Sequence, residues 1–364
     1  MIYLLITHND RGGAQNAQIK LAKTLREQGE SVKLICLYGK INGLNDYEII
    51  GGTYERISIL NYFHSIFSLA KYIIKNDIDI IISFLPLANI LNGLLGRLLG
   101  VNKIIVSHRN PVWTYSLPMR IIDRFLGGVG FYDYVVSNSI SVQKSYLQYS
   151  LNYVKNSIVI NNSVKTAKEE LNKEQVFLKY NIDSENKLLV AIGRLTHQKR
   201  FDLLIEMMSF VDNADLVIGG SGEDEGLLQS LAKKNPHIHF LGHLDQPEVI
   251  NLMTASDVYL QPSEFEGQSN SLLEALSCGC TIVSSSIEAQ TEVLIDGNEY
   301  SGLIVDNFEV SCWAKAVNEL LDNDQLRTEL SQFAKMNAEN YTLEKTAKKY
   351  MKLIKNDIKK EATK

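Results

Sequence analysis

The chain has 364 residues, of which 45% are hydrophobic and 22% are charged, and its formal net charge is −5. This length and composition are typical of a globular protein with two domains. The acidic balance disfavours nucleic acid as a partner, because proteins that bind phosphate backbones usually carry a basic surface. The four cysteines form no CxxC pair, which favours free thiols in a reducing cytoplasm.

The first half of the chain alternates apolar runs with segments of helical periodicity. The predicted strands are IYLLIT, SVKLICLY, DIDIIISF, NKIIVSH and YDYVVSNS. The predicted helices are AQNAQIKLAKTLREQG, HSIFSLAKYIIKN, LANILNGLLGRLLG and LPMRIIDRFLGG. Strands that are apolar throughout and alternate with helices indicate a parallel sheet that is covered on both faces.

A polar stretch, 161–187, interrupts this pattern, and a second series of strands and helices follows it. The predicted strands of the second half are LLVAIG, ADLVIGG, HIHFLG, DVYLQPS and TIVSS. We therefore predict an α/β protein with two doubly wound domains, 1–165 and 166–340, and a basic helix, 341–364, that packs back toward the first domain. Two such domains are expected to form a cleft at the carboxyl ends of their strands, where open α/β sheets bind ligands.

Two loops at predicted strand ends of the first domain carry candidate binding residues. In NDRGGAQ, Gly12 and Gly13 would let the backbone approach a ligand closely, although a tight turn into the next helix has the same pattern. In SHRNP, His108 and Arg109 directly follow a buried strand, so we expect both side chains to point out of the sheet into the cleft. A purely structural histidine is the alternative interpretation.

The loop GRLTHQKRFD of the second domain places two cations, Arg194 and Lys199, after a strand that ends at Gly193. An arginine can bind a diphosphate through its planar fork, and a lysine acts on it as a point charge. The pattern predicts anion binding, with a solvated basic turn as the alternative. The next residue, Arg200, is expected to be solvated.

The segment SEFEGQSNSLLEALS contains two carboxylates, Glu266 in a loop and Glu274 in the helix that follows. A helix that starts near Ser269, Asn270 and Ser271 would present free N–H groups to a phosphate. Ser271 and Glu274 also have the spacing of a capping box, in which Glu274 would cap the helix. Ligand binding and capping therefore both remain open for Glu274.

No metal site is expected from the sequence. Asp77 and Asp79 form an Asp-x-Asp pattern, but the pattern starts an apolar strand and so lies at the edge of the sheet away from the expected cleft. The histidines do not have the spacing of metal ligands, and His237 and His239 are expected to be exposed on one face of a strand.

Two segments combine apolar and basic residues in a way that is typical of a membrane surface. The first, WTYSLPMRIIDRFLGG, has seven large apolar residues beside two arginines: Trp113, Tyr115, Leu117, Met119, Ile121, Ile122 and Phe125, with Arg120 and Arg124. The second is the C-terminal tail, with Lys348, Lys349, Lys352, Lys355, Lys359 and Lys360. Together they predict peripheral association with an anionic membrane; a core-facing helix and a solvated helix are the alternative.

The order and spacing of several motifs resemble glycosyltransferase family 4 over nearly the whole chain. The motifs are GGAQNAQIKLAKTL, VSNS, VINNSV, AIGRLTHQKRFDLLI, VIGGSGEDEGLL, FLGHL, SEFEGQSNSLLEALSCGCTIVSS and TEVLIDGNEYSGLIV. The resemblance implies the GT-B fold, with two Rossmann-like domains facing across a cleft. It also implies that the acceptor binds mainly to the N-terminal domain, that a nucleotide-sugar binds to the C-terminal one, and that no metal or other cofactor is needed.

The resemblance also assigns roles to individual residues of the second domain. Arg194 and Lys199 match the diphosphate clamp, and Gly193 precedes them. Glu266 matches the residue that holds hydroxyls of the transferred sugar, and Glu274 the one that binds the ribose. The backbone N–H groups around Ser269, Asn270 and Ser271 would meet the phosphate or the sugar.

In the first domain the resemblance places Gly13 near the donor phosphate and His108 near the reacting carbon. Gly12, His108 and Arg109 would lie on the acceptor side. One departure concerns the lysine loop, where a glycine commonly follows the lysine and this chain has Arg200. The proline of the usual Gly-Thr-Pro after the second glutamate is also missing, because the sequence reads GCT.

These features predict a retaining enzyme that moves a hexose or N-acetylhexosamine from a nucleotide-sugar, with a UDP-sugar favoured. The acceptor would be a glycan or a polyprenyl-linked glycan of a bacterial surface polysaccharide, such as capsule or lipopolysaccharide. The enzyme would be cytoplasmic, peripheral at the inner face of the membrane. The alternatives are a glycoside hydrolase with two carboxylates, a catalytically silent nucleotide-sugar-binding partner, and an epimerase of the same fold.

Overall fold

The structure is a computed structural model that describes residues 1–40, 43–54 and 58–355. The chain divides into two compact units. Unit 1 comprises Met1–Ser163 and the returning C-terminal segment from Leu343, and unit 2 comprises Val164–Thr342. Lys359 and Lys360 of the predicted basic tail lie outside the described residues.

Unit 1 is built on a parallel sheet with the strand order β3-β2-β1-β4-β5-β6-β7. The strands are β1 (Ile2–His8), β2 (Val32–Tyr38), β3 (Glu48–Ile49), β4 (Ile80–Phe84), β5 (Lys103–His108), β6 (Tyr134–Ser137) and β7 (Ser157–Val159). The helices are α1 (Gly13–Glu27), α2 (Ile59–Asn76), α3 (Pro86–Leu91), α4 (Leu117–Gly128), α5 (Ile140–Ser145) and α6 (Leu151–Lys155). A π-helical turn at Asn92–Gly96 continues α3.

Both faces of this sheet are covered, as the apolar strands predict. Successive residues of a strand point to opposite faces. In β1, Tyr3 and Leu5 pack in the same core as Leu126 of α4, whereas Leu4 packs in a second core with α1. From Ile2 to Ile6 the strand is therefore apolar at every position, because neither of its faces meets water.

Unit 2 repeats the architecture with a second parallel sheet, in the order β10-β9-β8-β11-β12-β15. Its strands are β8 (Lys187–Ile192), β9 (Ala214–Gly219), β10 (Ile238–Gly242), β11 (Val258–Gln261), β12 (Ile282–Ser285) and β15 (Gly302–Val305); β13 (Ile295–Asp296) and β14 (Glu299–Tyr300) form a small hairpin. Its helices are α7 (Lys173–Tyr180), α8 (Phe201–Met207), α9 (Glu225–Ala232), α10 (Gln246–Ala255), α11 (Asn270–Cys278), α12 (Glu288–Leu294), α13 (Val310–Leu321) and α14 (Asp324–Ala338).

After unit 2 the chain returns to unit 1 as the helix α15 (Leu343–Ile354). Tyr350 and Leu353 of α15 are buried in the same core as Leu4. The side chain of Lys103, at the start of β5, donates hydrogen bonds to the carbonyl oxygens of Leu353 (3.1 Å) and Ile354 (2.6 Å). A cation thus binds the carbonyl groups that the end of a helix leaves unpaired.

Candidate active site

The centre of the candidate site in unit 2 is an ion pair between Lys199 and Glu266. The Nζ of Lys199 lies 2.5 Å from Oε1 of Glu266, and the two side chains are only 13% and 11% exposed. The aliphatic part of Lys199 passes over Gly193, where an added Cβ would lie 3.3 Å from Cε of the lysine. The absence of a side chain at Gly193 therefore leaves the space through which the lysine reaches the carboxylate.

The loop after β8 and the loop after β11 are joined by further hydrogen bonds. The side chain of Gln198 donates to the carbonyl oxygen of Phe265 (2.6 Å), and the backbone N–H of Glu264 donates to the carbonyl oxygen of Gln198 (2.9 Å). The structure therefore brings the predicted cation loop and the predicted carboxylate loop together in one body. Such bonding fixes the side-chain geometry before a ligand binds.

Arg200 is not simply solvated, which corrects the expectation from the sequence. Its guanidinium binds Asp202 and also lies 3.0 Å from Oε1 of Glu264. Its φ of 51° lies in the left-handed region, which favours glycine. The backbone conformation thus explains why a glycine is common at this position among the proteins that the sequence resembles.

The glycines of the loop after β9 allow a close approach of two backbones. A Cβ on Gly220 would overlap the carbonyl oxygen of Gly193, and one on Gly222 would overlap that of Leu195. The backbone N–H of Leu195 donates to the carbonyl oxygen of Ser221 (3.1 Å). These glycines support the backbone around Arg194, a role that the sequence pattern alone does not distinguish from phosphate binding.

The capping box predicted for Ser271 and Glu274 is wrong. The helix α11 begins at Asn270, and its N-cap is Ser269, whose side chain accepts a hydrogen bond from the N–H of Leu272 (3.3 Å). Ser271 is inside the helix, with its Oγ 3.0 Å from that of Ser269. Glu274 is the fifth helical residue, whereas a capping box needs its acid at the third. Asn270 and Glu274 are spaced by four residues and so share one side of the helix.

His108 and Arg109 do not point out of the sheet of unit 1, which corrects the second loop prediction. His108 is only 1% exposed and stacks on Tyr146, with the ring centres 4.3 Å apart. Arg109 is 8% exposed. Tyr146 and Tyr153, which contact the ring of His108, come from 38 and 45 positions further along the chain, so the local pattern of the strand and loop does not reveal them.

A buried network holds the imidazole of His108. Its Nε2 lies 2.7 Å from the hydroxyl of Tyr153, which donates to Asp123 (2.8 Å), and Tyr132 donates to the same carboxyl group (3.1 Å). Burial lowers the pKa of His108 and raises that of Asp123, because both charged forms are disfavoured away from water. The sequence reading missed Asp123, although it is the only acid in an apolar and basic helix.

The first glycine loop of unit 1 forms the entry to α1. Gly12 is the N-cap residue, with an extended φ of −175°, and no side chain caps the helix there. The backbone N–H of Asn16 donates to the carbonyl oxygen of Gly12 (3.0 Å). Gly12 and Gly13 thus lie at a helix N-terminus without needing the left-handed region.

Metal ligands do not assemble in the part of the chain that the structure describes, where no group of three or more His, Cys, Asp or Glu side chains could hold an ion. Asp77 ends α2, and Asp79 accepts a hydrogen bond from Asn102. His237 is exposed as expected, whereas the side chain of His239 is only 24% exposed; both contact the buried Asp215, His239 at 2.9 Å and His237 at 3.3 Å.

Residues 172–337 match the family described as "Glycosyl transferases group 1". An uncharacterized glycosyltransferase of Methanocaldococcus jannaschii is 31% identical over 61% of this chain, and the chain spans 58% of that relative's length. A Campylobacter jejuni protein is 25% identical over 97% of this chain and 98% of its own. Its name is GalNAc-alpha-(1->4)-GalNAc-alpha-(1->3)-diNAcBac-PP-undecaprenol alpha-1,4-N-acetyl-D-galactosaminyltransferase.

Among solved structures, the fold resembles that of Anabaena HepE in complex with UDP and glucose. The TM-score is 0.83 at 15% identity, and the match covers 98% of this chain and 100% of the other. This likeness confirms the predicted GT-B fold of two parallel-sheet α/β domains. The family match shows that residues 172–337 carry the sequence pattern of group 1 glycosyl transferases.

Proposed function

We propose that the enzyme transfers a hexose or N-acetylhexosamine from a nucleotide-sugar, a UDP-sugar above all, with retention of configuration. The acceptor would be a glycan or polyprenyl-linked glycan in the synthesis of a bacterial surface polysaccharide. The observation that carries this proposal is the ion pair of Lys199 and Glu266 on two joined loops beside Arg194. The UDP in the HepE structure and the PP-undecaprenol in the name of the Campylobacter relative support the donor and the acceptor class.

The chemistry of the transfer explains why cations are needed in unit 2. As the glycosidic bond to the diphosphate breaks, negative charge develops on the leaving group. Lys199 and Arg194 would stabilise that charge, with the N–H groups of Ser269, Asn270 and Ser271 at the start of α11 as further donors. We propose that no metal ion is required for this reason.

The carboxylates would bind hydroxyl groups and would not act as an acid and base pair. Glu266 already accepts a hydrogen bond from the ammonium group of Lys199, so its carboxylate is engaged by a neighbouring cation. We propose that Glu266 holds hydroxyls of the transferred sugar and that Glu274 holds those of the ribose. The departing phosphate would then accept the proton of the acceptor hydroxyl on the same face of the sugar.

Gly13 would lie near the donor phosphate, and Gly12, His108 and Arg109 would serve the acceptor side. His108 would act as a neutral imidazole, since burial lowers its pKa. The proposal does not require the side chain of His108 to carry a charge during transfer.

A ligand-detected NMR screen of UDP-, GDP- and ADP-sugars tests the donor. We expect binding of one or more UDP-sugars, and binding of only GDP- or ADP-sugars would contradict the choice of UDP. Turnover with a lipid-linked acceptor should continue in the presence of EDTA. The new glycosidic bond should have the same anomeric configuration as the sugar in the donor. A product formed without any acceptor would instead indicate an epimerase or a hydrolase.

We also propose peripheral association of unit 1 with the inner, cytoplasmic face of an anionic membrane. Four apolar side chains of the segment that includes α4 face away from the core: Trp113, Leu117, Ile121 and Phe125 are 58–63% exposed, whereas Tyr115 and Met119 pack against the core. No helix among the described residues has the length and apolar character needed to cross a bilayer. An exposed apolar stripe beside arginines is typical of a helix that lies in a membrane interface.

The described part of the basic tail lies in α15, on the other face of the sheet of unit 1 from α4, so we propose that α4 binds the membrane without it. Leu126 of α4 packs with Tyr3, and Leu353 of α15 packs with Leu4, so the two helices lie on opposite faces of the sheet of unit 1. In co-sedimentation with anionic vesicles, Ile121→Glu with Phe125→Glu should abolish binding. Lys348→Gln with Lys352→Gln, on α15, should leave it nearly unchanged; the reverse result would assign membrane binding to the tail.

A further inference from the structure

Arg109 is a buried cation at the carboxyl end of β5. One of its terminal nitrogens donates to Oδ1 of Asn162 (2.5 Å) and the other to the hydroxyl of Tyr350 (3.4 Å). Its guanidinium carbon lies 3.9 Å from the centre of the Phe84 ring. The guanidinium is therefore fixed by three elements of unit 1: β4, the segment after β7, and α15.

All of these partners are neutral. No carboxylate forms an ion pair with Arg109 in the described ranges 1–40, 43–54 and 58–355, whereas Lys199, Arg200 and Arg97 each have one. Burial lowers the pKa of Arg109, yet an arginine keeps its charge at neutral pH. A buried charge without a counter-ion is unfavourable, and a structural role alone does not explain why the chain keeps it.

The guanidinium also has unused donors. An arginine carries five N–H groups, and the two hydrogen bonds above use two of them. The Nε is buried and has no hydrogen-bond partner among the described residues. A planar group with several free N–H donors matches the oxygens of a phosphate, which it can bind through two parallel bonds.

We propose that Arg109 is the anchor of a phosphate-binding site in unit 1, and that its ligand is the diphosphate of a lipid-linked acceptor. The anion would supply both the missing counter-charge and the acceptors for the unused N–H groups. The identification of this anion as part of the acceptor rests on the proposed function. The existence of an anion site at Arg109 does not depend on that function. Asn162 and Tyr350 set the orientation of the guanidinium, so they are positioning residues for this site.

The test uses the full chain saturated with UDP, so that the cations of unit 2 are occupied, and titrates geranyl diphosphate by calorimetry. We expect Arg109→Gln to weaken its binding about 10- to 100-fold, because a charge-assisted bond is lost. Arg109→Lys should recover part of it, since the charge remains but the fork does not. Lys23→Gln, which removes an exposed cation of unit 1, should bind as the wild type does.

Thermal unfolding without ligand separates a binding role from a structural one. If Arg109 binds an anion, Arg109→Gln should melt at the wild-type temperature or above it, because an unpaired buried charge is removed. A lower melting temperature with unchanged affinity for geranyl diphosphate would overturn the proposal. A far-UV circular dichroism spectrum that matches that of the wild type shows that the variant is folded.

Three more outcomes separate the anion site, the source of the anion and the proposed function. If inorganic pyrophosphate binds as tightly as geranyl diphosphate and loses affinity in Arg109→Gln, the anion site stands and the lipid-linked source is wrong. If the wild type binds a UDP-sugar but shows no Arg109-dependent binding of either diphosphate, the inference fails while the proposed function stands. If no nucleotide-sugar binds, the proposed function fails, and the pyrophosphate titration still decides the site of Arg109.

Discussion

Two cations that follow parallel strands, Lys199 in unit 2 and Arg109 in unit 1, have opposite surroundings. Lys199 is held by the carboxylate of Glu266, whereas Arg109 has only neutral partners among the described residues. An anion that binds Lys199 must compete with the carboxylate of Glu266 for the lysine. An anion that binds Arg109 would form an ion pair where the described residues supply no carboxylate. The difference shows that a cation in a loop after a parallel strand can be either paired with a carboxylate or surrounded by neutral groups.

The largest expected effect comes from removing the paired cation. Lys199→Ala should reduce turnover about 100- to 1,000-fold, the range seen when one preorganised group that stabilises transition-state charge is lost. The measurement is kcat/KM with a UDP-sugar and a lipid-linked acceptor. The matched control is Lys179→Ala, which breaks an ion pair with Glu248 at the surface of the same unit. Equal turnover of the two variants would remove Lys199 from the site.

In unit 1 the corresponding experiment is on the network around His108. Tyr153→Phe removes the hydroxyl that joins His108 to Asp123 and leaves buried polar atoms without a partner. We expect the free energy of unfolding to fall by about 2–3 kcal/mol, measured by urea denaturation. Tyr300→Phe, at an exposed tyrosine, should change it by less than about 0.5 kcal/mol. Equal stability of both variants would mean that the network does not stabilise unit 1.

The next prediction concerns Asp215, a buried carboxylate with several hydrogen-bond donors around it, away from both Lys199 and Arg109. Burial alone would raise the pKa of Asp215, but hydrogen bonds from His239, Asn186 and His237 outweigh it and hold the pKa below its usual 3.8. A depressed pKa gives stability that is present above pH 4 and is lost as the pH falls through the folded-state value. Asp215→Asn should cost about 1–2 kcal/mol at pH 7 and less at pH 3.

The check is urea denaturation of the wild type and Asp215→Asn between pH 3 and pH 7. The difference between the two free energies of unfolding should shrink toward the acid end. A difference that is constant over this range would show that the charge of Asp215 does not matter to the fold.

The smallest expected effect concerns the start of α11. Ser269→Ala should cost about 1 kcal/mol, the usual value for an N-cap serine, since it removes the bond to the N–H of Leu272. Ser271→Ala should cost less, because Ser271 is inside the helix. Guanidinium denaturation of both variants decides the order. A larger loss at Ser271 would restore the capping box that the structure replaces.

The sequence predicts the parts of this fold that depend on local patterns. Strands β1 and β5 contain continuous apolar runs, at 2–6 and 104–106, and the segment 117–128 is helical as expected. The edge strands β3 and β7 were not predicted, because two or three residues are too short to show a periodicity. The joining of the Lys199 loop to the Glu266 loop agrees with their shared position at strand ends.

What the sequence could not show depends on contacts between distant residues. Tyr153 covers His108 from 45 positions away, and Tyr350 reaches Arg109 from 241 positions away. No local pattern encodes either contact, so the expected outward direction of both side chains was wrong. The capping error has a local cause: Ser269 and Ser271 are both good N-cap residues, and the pattern alone does not choose between them.

The return of α15 to unit 1 has a consequence for the order in which the protein folds. Lys103 bonds to the carbonyl oxygen of Ile354 across 251 positions, so a ribosome must synthesise all of unit 2 before unit 1 can close. Unit 2, though second in the chain, has its complete sequence first. Until α15 emerges, α1 packs on the face of the first sheet around Leu4, but the part that Tyr350 and Leu353 bury stays uncovered. During synthesis this is the surface on which we expect chaperones to act.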